Sequence, residues 1–358
     1  MATAMSPFLR LLEADRLPDP LIRFAIRRLL AGRLRELRRG GPAAQQARFE
    51  AFVEELRSSP IALSVDDANR QHYEVPTAFF QWVLGQQLKY SSCLWPAGVD
   101  RLAEAEQAML EATVERAELA DGQEILELGC GWGSLSLFMA DRFPRARVLA
   151  VSNSASQKEF IDGEAQARGL GNLTVQTADM NEFDPHALAP DRTFDRVVSV
   201  EMFEHMRNYA ELFARIGRWT RADAKVFVHV FCHRHFAYPF IDSGRPGDWM
   251  ARHFFTGGLM PSADLLPRFD ATWRLEQRWL MDGTHYQKTS EAWLARMDLR
   301  RNFILPLLEE IYGPGEGTRW WVRWRVFFMA CAELFGYGGG EEWLVAHYRF
   351  VRASETET

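Results

Sequence analysis

The stretch 125-ILELGCGWGSLSL-137 opens as a short apolar strand carrying Glu127 and passes through glycines 129, 131 and 133. It then resumes an apolar pattern of helical spacing. Glycines in such a turn permit tight backbone geometry and let a ligand approach bare peptide groups. A dinucleotide enzyme uses a comparable turn to seat a pyrophosphate at a helix N-terminus. Here the pattern is G-x-G-x-G, without the second half of the dinucleotide fingerprint. Glu127, two residues before the first glycine, would repel a phosphate. It suits a ligand that carries a positive charge.

Outward from this turn the chain alternates strand and helix patterns. EILEL (124–128), RVLAVS (147–152), LTVQTA (173–178), RVVSVE (196–201) and KVFVHVF (225–231) are apolar runs suited to strands covered on both faces. SLSLFMADRF and SASQKEFIDGEAQARGL read as helices between them. A mostly parallel, Rossmann-like α/β sheet with helices on both faces is expected. Such sheets bind ligands at the carboxyl ends of their strands. The second strand ends at Asn153, which can reach ribose hydroxyls, with Gln157 one helical turn on. The third ends at Asp179 and Met180, suited to an adenine amino group and ring. An acid-led glycine turn, a ribose site and an adenine site together point to S-adenosylmethionine, whose methionine end bears an ammonium.

The flanks read differently. Residues 1–65 form an N-terminal helical segment, with Asp19 as a candidate N-cap before Pro20. Ile22, Ile26, Leu30, Leu34 and Leu37 mark one apolar face. The first 40 residues hold nine arginines against four acids. That face is either docked on the protein or laid on an anionic membrane as a peripheral contact. Glu36 and the lack of Trp anchors favour docking. Gly40–Gly41–Pro42 ends the helix. Residues 66–235 form the ligand-binding core and 236–340 aromatic-rich cap insertions and helices. Within the cap, 290–313 read as one helix or a pair, and 318–336 as a helix apolar almost all round. Residues 341–352 read as a closing strand of the core sheet and 353–358 as a disordered tail.

Composition narrows the class further. The 358 residues are 47% hydrophobic and 25% charged with a formal net charge of −6, which gives no general attraction to nucleic acid. No stretch is long and apolar enough for stable membrane insertion, and the N-terminus lacks the pattern of a signal peptide. Cys93, Cys130, Cys232 and Cys331 are scattered, so neither a zinc site nor a disulfide framework is expected. A soluble protein of the reducing cytoplasm is the expectation. The N-terminal helices could pair two subunits into a homodimer.

The chain resembles the cyclopropane fatty-acid synthase superfamily of methyltransferases, in particular its coclaurine N-methyltransferase-like branch. The motifs that carry the resemblance are HYEVPTAFF (72–80), LKYSSCLWP (88–96), LELGCGWGSLSL (126–137), SNSASQKEFID (152–162), VEMFEHMRNY (200–209), FVHVFCHRHFAY (227–238), HFFTGGLMPSADLL (253–266), HYQKTSEAW (285–293) and ACAELFGY (330–337). The resemblance implies a seven-stranded class I methyltransferase sheet and a metal-independent enzyme using S-adenosylmethionine, with S-adenosylhomocysteine as product. It implies that Tyr90, Ser91 and the Gly129–Gly131–Gly133 turn hold the methionine end, with Asn153 and Gln157 along the ribose and Asp179 at the adenine. Glu201 and His205 match residues that bind and deprotonate an amine. Glu204, His229 and Tyr286 match residues that hold a bicarbonate base in lipid-modifying members. Ser92, Glu201 and Phe231 depart from those members, which carry cysteine, glycine and isoleucine there. The cradle for the ion is thus incomplete, and a side-chain base stands in its place.

An amine attacks only when neutral, so a placed base must take its proton, and His205 is suited to that. If EMFEHM forms a helical turn, Glu201, Glu204 and His205 share one face. The acceptor expected is a small hydrophobic or alkaloid-like amine. The alternative is an unsaturated acyl chain that is methylated or methylenated, and a non-catalytic cofactor-binding scaffold is the third reading.

Overall fold

The computed structural model describes residues 7–63, 75–187, 189–244, 248–269 and 271–353. Its main sheet contains β1 (Glu124–Leu128), β2 (Arg147–Ser152), β3 (Leu173–Thr177), β4 (Phe194–Val200) and β5 (Thr220–His233). Two further strands, β8 (Trp273–Met281) and β9 (Trp343–Arg352), complete it, while β6 (Tyr238–Pro239) and β7 (Leu259–Met260) form a separate small ladder. The order is β3-β2-β1-β4-β5-β9-β8. β1 to β5 pair in parallel, and β9 runs antiparallel to both β5 and β8. Strand order reverses between β1 and β4, and a parallel sheet opens a crevice at that point.

The five parallel strands lie where the apolar runs place them. β1 is buried along its whole length because helices cover both faces. β8 was not among the expected strands. It lies inside the 236–340 stretch, and its Arg274, Glu276 and Arg278 interrupt the apolar pattern because it is an edge strand with a wet face. β9 is therefore flanked on both sides instead of closing the sheet.

Above the crevice, residues 290–313 resolve into two helices, Thr284–Leu299 and Arg301–Tyr312. The helix Gly317–Phe335 packs against both and is buried along most of its length. The N-terminal helices are Pro7–Glu13, Asp19–Leu37 and Gly41–Ser58. Asp19–Leu37 docks on Gly317–Phe335, burying Ile22 and Leu34. Its basic side chains meet acids of the cap: Arg23 reaches Glu291 at 2.6 and 2.8 Å and Glu333 at 3.1 Å, and Arg27 reaches Glu333 at 2.8 Å. Docking, and not a membrane face, accounts for this part of the arginine excess. Asp19 is not an N-cap; Pro18 holds that position without a capping side chain, and Asp19 takes Arg325 at 3.0 and 2.8 Å.

Among the described residues no helix is long and apolar enough to cross a membrane. The tail 354–358 and residues 72–74 of the first motif lie outside the described residues.

Candidate active site

Backbone conformation builds the floor of the site. The amides of Gly129 and Cys130 both donate to the carbonyl of Val151, at 3.0 and 2.9 Å, and clamp the turn to β2. Gly129, Gly131 and Gly133 take φ of +81°, +52° and +79°, a region that costs any residue with a Cβ. A Cβ on Gly129 would meet Met202 at 2.7 Å and one on Gly133 would meet Ile161 at 2.6 Å, whereas one on Gly131 would meet nothing within 4 Å. Gly129 and Gly133 thus serve packing as well, and Gly131 bares its backbone. Gly133 does not line the cavity with the other two. It is the N-cap of the helix Ser134–Arg142 and is turned toward Ile161.

One cavity brings together Tyr90, Ser91, Glu127, Gly129, Gly131, Asn153, Gln157, Asp179, Met180, Glu201, Glu204, His205, Phe231 and Tyr286. Of the residues expected at the site, only Gly133 and His229 stand outside this lining. Glu127 is buried, accepts from the Ser136 hydroxyl, and is pushed up to about 7 by burial. A buried carboxylate with one donor is undersupplied, and a cation beside it would hold it ionised. Gln157 is fixed on its carbonyl side: Ser152 accepts from the Ser154 amide and donates to Gln157 Oε1 at 2.7 Å. Its Nε2 is buried without a partner among the described residues, as are Ser134 Oγ and Trp132 Nε1 on the same cavity wall. Asp179 accepts from the Asn181 amide at 2.8 Å, which shapes the turn after β3. Unmatched buried polar atoms around a buried acid suit a polar, partly cationic ligand such as S-adenosylmethionine.

The opposite end centres on Glu201, just beyond β4, with φ of +47°. Its Oε1 accepts from the Ser92 amide at 2.8 Å and lies 3.2 Å from His229 Nε2, which donates when Glu201 is ionised, and its Oε2 accepts from the Tyr286 hydroxyl at 2.6 Å. Burial still raises its pKa, against the pull of Lys89, the Ser92 and Tyr286 donors and His205. His229 stands behind Glu201 and not on the cavity wall, because it is fully buried within β5. Glu204 and His205 lie in a single 3-10 turn, Phe203–His205, which Glu201 precedes. The expected α-helical turn is absent, yet all three side chains reach the cavity. Burial, then the charge of Glu201, pushes Glu204 well above the carboxylate range, and its Oε2 has no partner among the described residues. Burial pulls His205 down to about 4, so its imidazole is neutral near neutrality. Its ring stacks on Phe255 at 5.9 Å.

The family model described as mycolic acid cyclopropane synthetase matches residues 64–340. The chain belongs to this family of S-adenosylmethionine-dependent methyltransferases. It is 38% identical over 350 residues to the (S)-coclaurine N-methyltransferase of Thalictrum flavum subsp. glaucum, covering 96% of this chain and 95% of that one. The crystal structure of coclaurine N-methyltransferase bound to N-methylheliamine and SAH superposes with a TM-score of 0.91 at 35% identity, over 96% of this chain and 98% of that one. A cyclopropane synthase from Mycobacterium tuberculosis shares the fold, with a TM-score of 0.69 at 19% identity over 82% of this chain and all 100% of that one.

Within the cyclopropane synthetase family frame, Glu201 has a clear structural reading. His229 and Tyr286, which the sequence resemblance matched to ligands of a bicarbonate ion, both donate to the Glu201 carboxylate here. The backbone amide of Ser92, at another position where the chain departs from lipid-modifying members, donates as well. All three contacts thus converge on the Glu201 carboxylate. Sequence reasoning missed Lys89, buried below Ser91 and donating to its hydroxyl. It also missed Trp293 and Phe327 on the cavity wall. Lys89 lies inside the quoted motif LKYSSCLWP, but nothing in the spacing says that it turns inward.

Proposed function

We propose that the protein methylates the nitrogen of a small hydrophobic, alkaloid-like amine. The observation that supports this best is the pairing, across one cavity, of a buried carboxylate held by three donors with a neutral histidine. On this reading Tyr90, Ser91, Glu127, Gln157 and Asp179 hold the cofactor, with Gly131 presenting its backbone. Bound there, the sulfonium of S-adenosylmethionine supplies an electrophilic methyl group. Glu201 attracts the ammonium form of the amine and orients it. His205 takes the proton, and the nitrogen lone pair so released would form the new N–C bond as the methyl's C–S bond breaks, with the electron pair staying on sulfur in the departing S-adenosylhomocysteine. Burial that weakens His205 as a base also weakens the ammonium's hold on its charge, so the transfer moves one charge between two buried sites. Glu204, neutral beside Glu201, leaves the single negative charge on Glu201. Phe231, Phe255 and Phe327 offer apolar and π surface to the acceptor's rings and charge.

The amine held in the coclaurine N-methyltransferase crystal structure supports the same acceptor class. The test is incubation with methyl-labelled cofactor and separate sets of primary, secondary and tertiary amines, alongside vesicles of unsaturated phospholipid. Label in a cyclic, aromatic-fused amine is the expected result. Label in the acyl chains and in none of the amines would overturn it.

A further inference from the structure

Glu201 is the end of a row of side chains that crosses the sheet. His229 on β5 and His347 on β9 are direct register partners, and Trp279 on β8 is the partner of His347. On the other side Val200 pairs with His229, and the Glu201 amide donates to the His229 carbonyl at 2.8 Å. His347 Nε2 lies 2.8 Å from His229 Nδ1, and His347 Nδ1 lies 2.8 Å from Arg116 Nη1. Arg116, half-buried on the helix Leu102–Ala117, is held over the Trp279 ring at 5.2 Å and against Met281 Sδ at 3.2 Å.

We infer that Arg116 and His347, neither of which lines the cavity, are positioning residues that set the direction of the hydrogen bonds in the row that runs through His229 to Glu201. A guanidinium has donors only, so Nδ1 of His347 must accept. His347 then carries its proton on Nε2 and donates to Nδ1 of His229. His229 in turn carries its proton on Nε2 and donates to Glu201. Both imidazoles are fully buried, and burial holds them well below the usual histidine range, helped by the charges of Lys89 and Arg116 and, for His347, by its neighbour His229. They are neutral, as the one-way chain requires.

This chain does more than support the carboxylate. A carboxylate offers about four lone-pair sites. His229, the Ser92 amide and the Tyr286 hydroxyl fill three, which leaves one on Oε2 for the acceptor. A proton from the amine cannot leave along the row, since His229 Nε2 and His347 Nε2 already carry hydrogens pointing toward Glu201. Arg116 therefore keeps Glu201 an orienting anion and leaves proton removal to His205. This division of roles rests on the function proposed above. The hydrogen-bond polarity does not.

The test uses the whole enzyme with nitrogen-15 in its histidines. The imidazoles of His229 and His347, assigned by substituting each in turn, are expected not to titrate between pH 6 and 9 and both to carry hydrogen on Nε2 in the wild type. In Arg116→Met the donor to His347 is gone, so both signals move toward a mixture of tautomers; Arg116→Lys restores a cationic donor and the single pattern. Methylation of an accepted amine drops about tenfold in kcat/KM in Arg116→Met, the scale for groups that orient a ligand through another side chain. Affinity for S-adenosylhomocysteine stays within twofold. Hydrogen on Nδ1 of either imidazole in the wild type would overturn the inference, as would a loss of S-adenosylhomocysteine binding equal to the loss of turnover. If no amine is methylated, the proposed function fails, and the tautomers still decide the polarity.

Discussion

The two ends of the cavity each hold a buried carboxylate, and the two are prepared in opposite ways. Glu127 has one side-chain donor, Ser136, only nine residues away, and burial lifts it to about 7. Glu201 has three donors, from Ser92, His229 and Tyr286, which lie 109, 28 and 85 residues away in the chain. The first is an acid left short of partners, and a cationic ligand completes it. The second is complete except for one lone pair, and it presents a fixed geometry to whatever enters. On the proposed function, binding energy at the cofactor end would come from relieving an unsatisfied group, and at the acceptor end orientation would already be built into the fold, which is what a reaction step requires.

The largest effect that could break this contrast is at Glu201. Glu201→Ala is expected to lower kcat for amine methylation by roughly 10²–10⁴-fold, the range for removing a placed electrostatic or acid–base group. S-adenosylhomocysteine affinity, measured by calorimetry, should change less than threefold. A parallel loss of binding would mean that Glu201 props up the whole cavity and that the two ends are not separate devices.

Glu127 sharpens the contrast from the other side. Glu127→Gln removes the charge but keeps the shape, and loss of a charged hydrogen bond costs about 1.5–3 kcal/mol. The expectation is a roughly 10- to 100-fold weaker affinity for S-adenosylhomocysteine, with kcat at saturating cofactor nearly unchanged. The pH dependence has a definite sign. Glu127 must ionise to meet an ammonium, and its pKa in the unliganded protein is raised to about 7. Affinity should therefore be level above that pH and fall by up to tenfold per unit below it, and Glu127→Gln should flatten the slope. A wild-type profile that is flat from pH 5 to 8 would show that the ligand's charge is satisfied elsewhere.

The same contrast explains what could be read from the sequence. On the proposed function the cofactor end is local: each contact stands at or just after the carboxyl end of a short strand, so spacing alone points to Glu127, Gly129, Gly131, Asn153, Gln157 and Asp179. Gly133 was assigned to the ligand because spacing cannot tell a glycine that bares its backbone from one that admits Ile161. The acceptor end depends on register between strands far apart in the chain. EMFEH identified Glu201, Glu204 and His205, but not that a left-handed residue and a 3-10 turn would present them. His229 was read as a cavity residue because its role as a donor behind Glu201 appears only when β4, β5 and β9 are aligned. β8 was missed for a related reason: an edge strand with a charged outer face loses the continuous apolar run that announced the buried strands.

The smallest expected effect tests the backbone itself. Gly131 and Gly133 both adopt positive φ, so alanine at either costs roughly 1–2 kcal/mol in conformation. Beyond that they diverge. Alanine at 133 drives a methyl to 2.6 Å from the Ile161 side chain, while alanine at 131 projects into space with nothing within 4 Å. Gly133→Ala should thus lose more thermal stability than Gly131→Ala, because its methyl adds overpacking to the same backbone strain. Gly131→Ala should instead lose more S-adenosylhomocysteine affinity relative to its loss of stability, because the added methyl stands where the ligand meets bare backbone. Melting temperature and calorimetric affinity on the same two proteins separate the cases. If Gly131→Ala binds as tightly as the wild type, the ligand does not approach the turn at that residue, and Glu127 alone must account for the cofactor end.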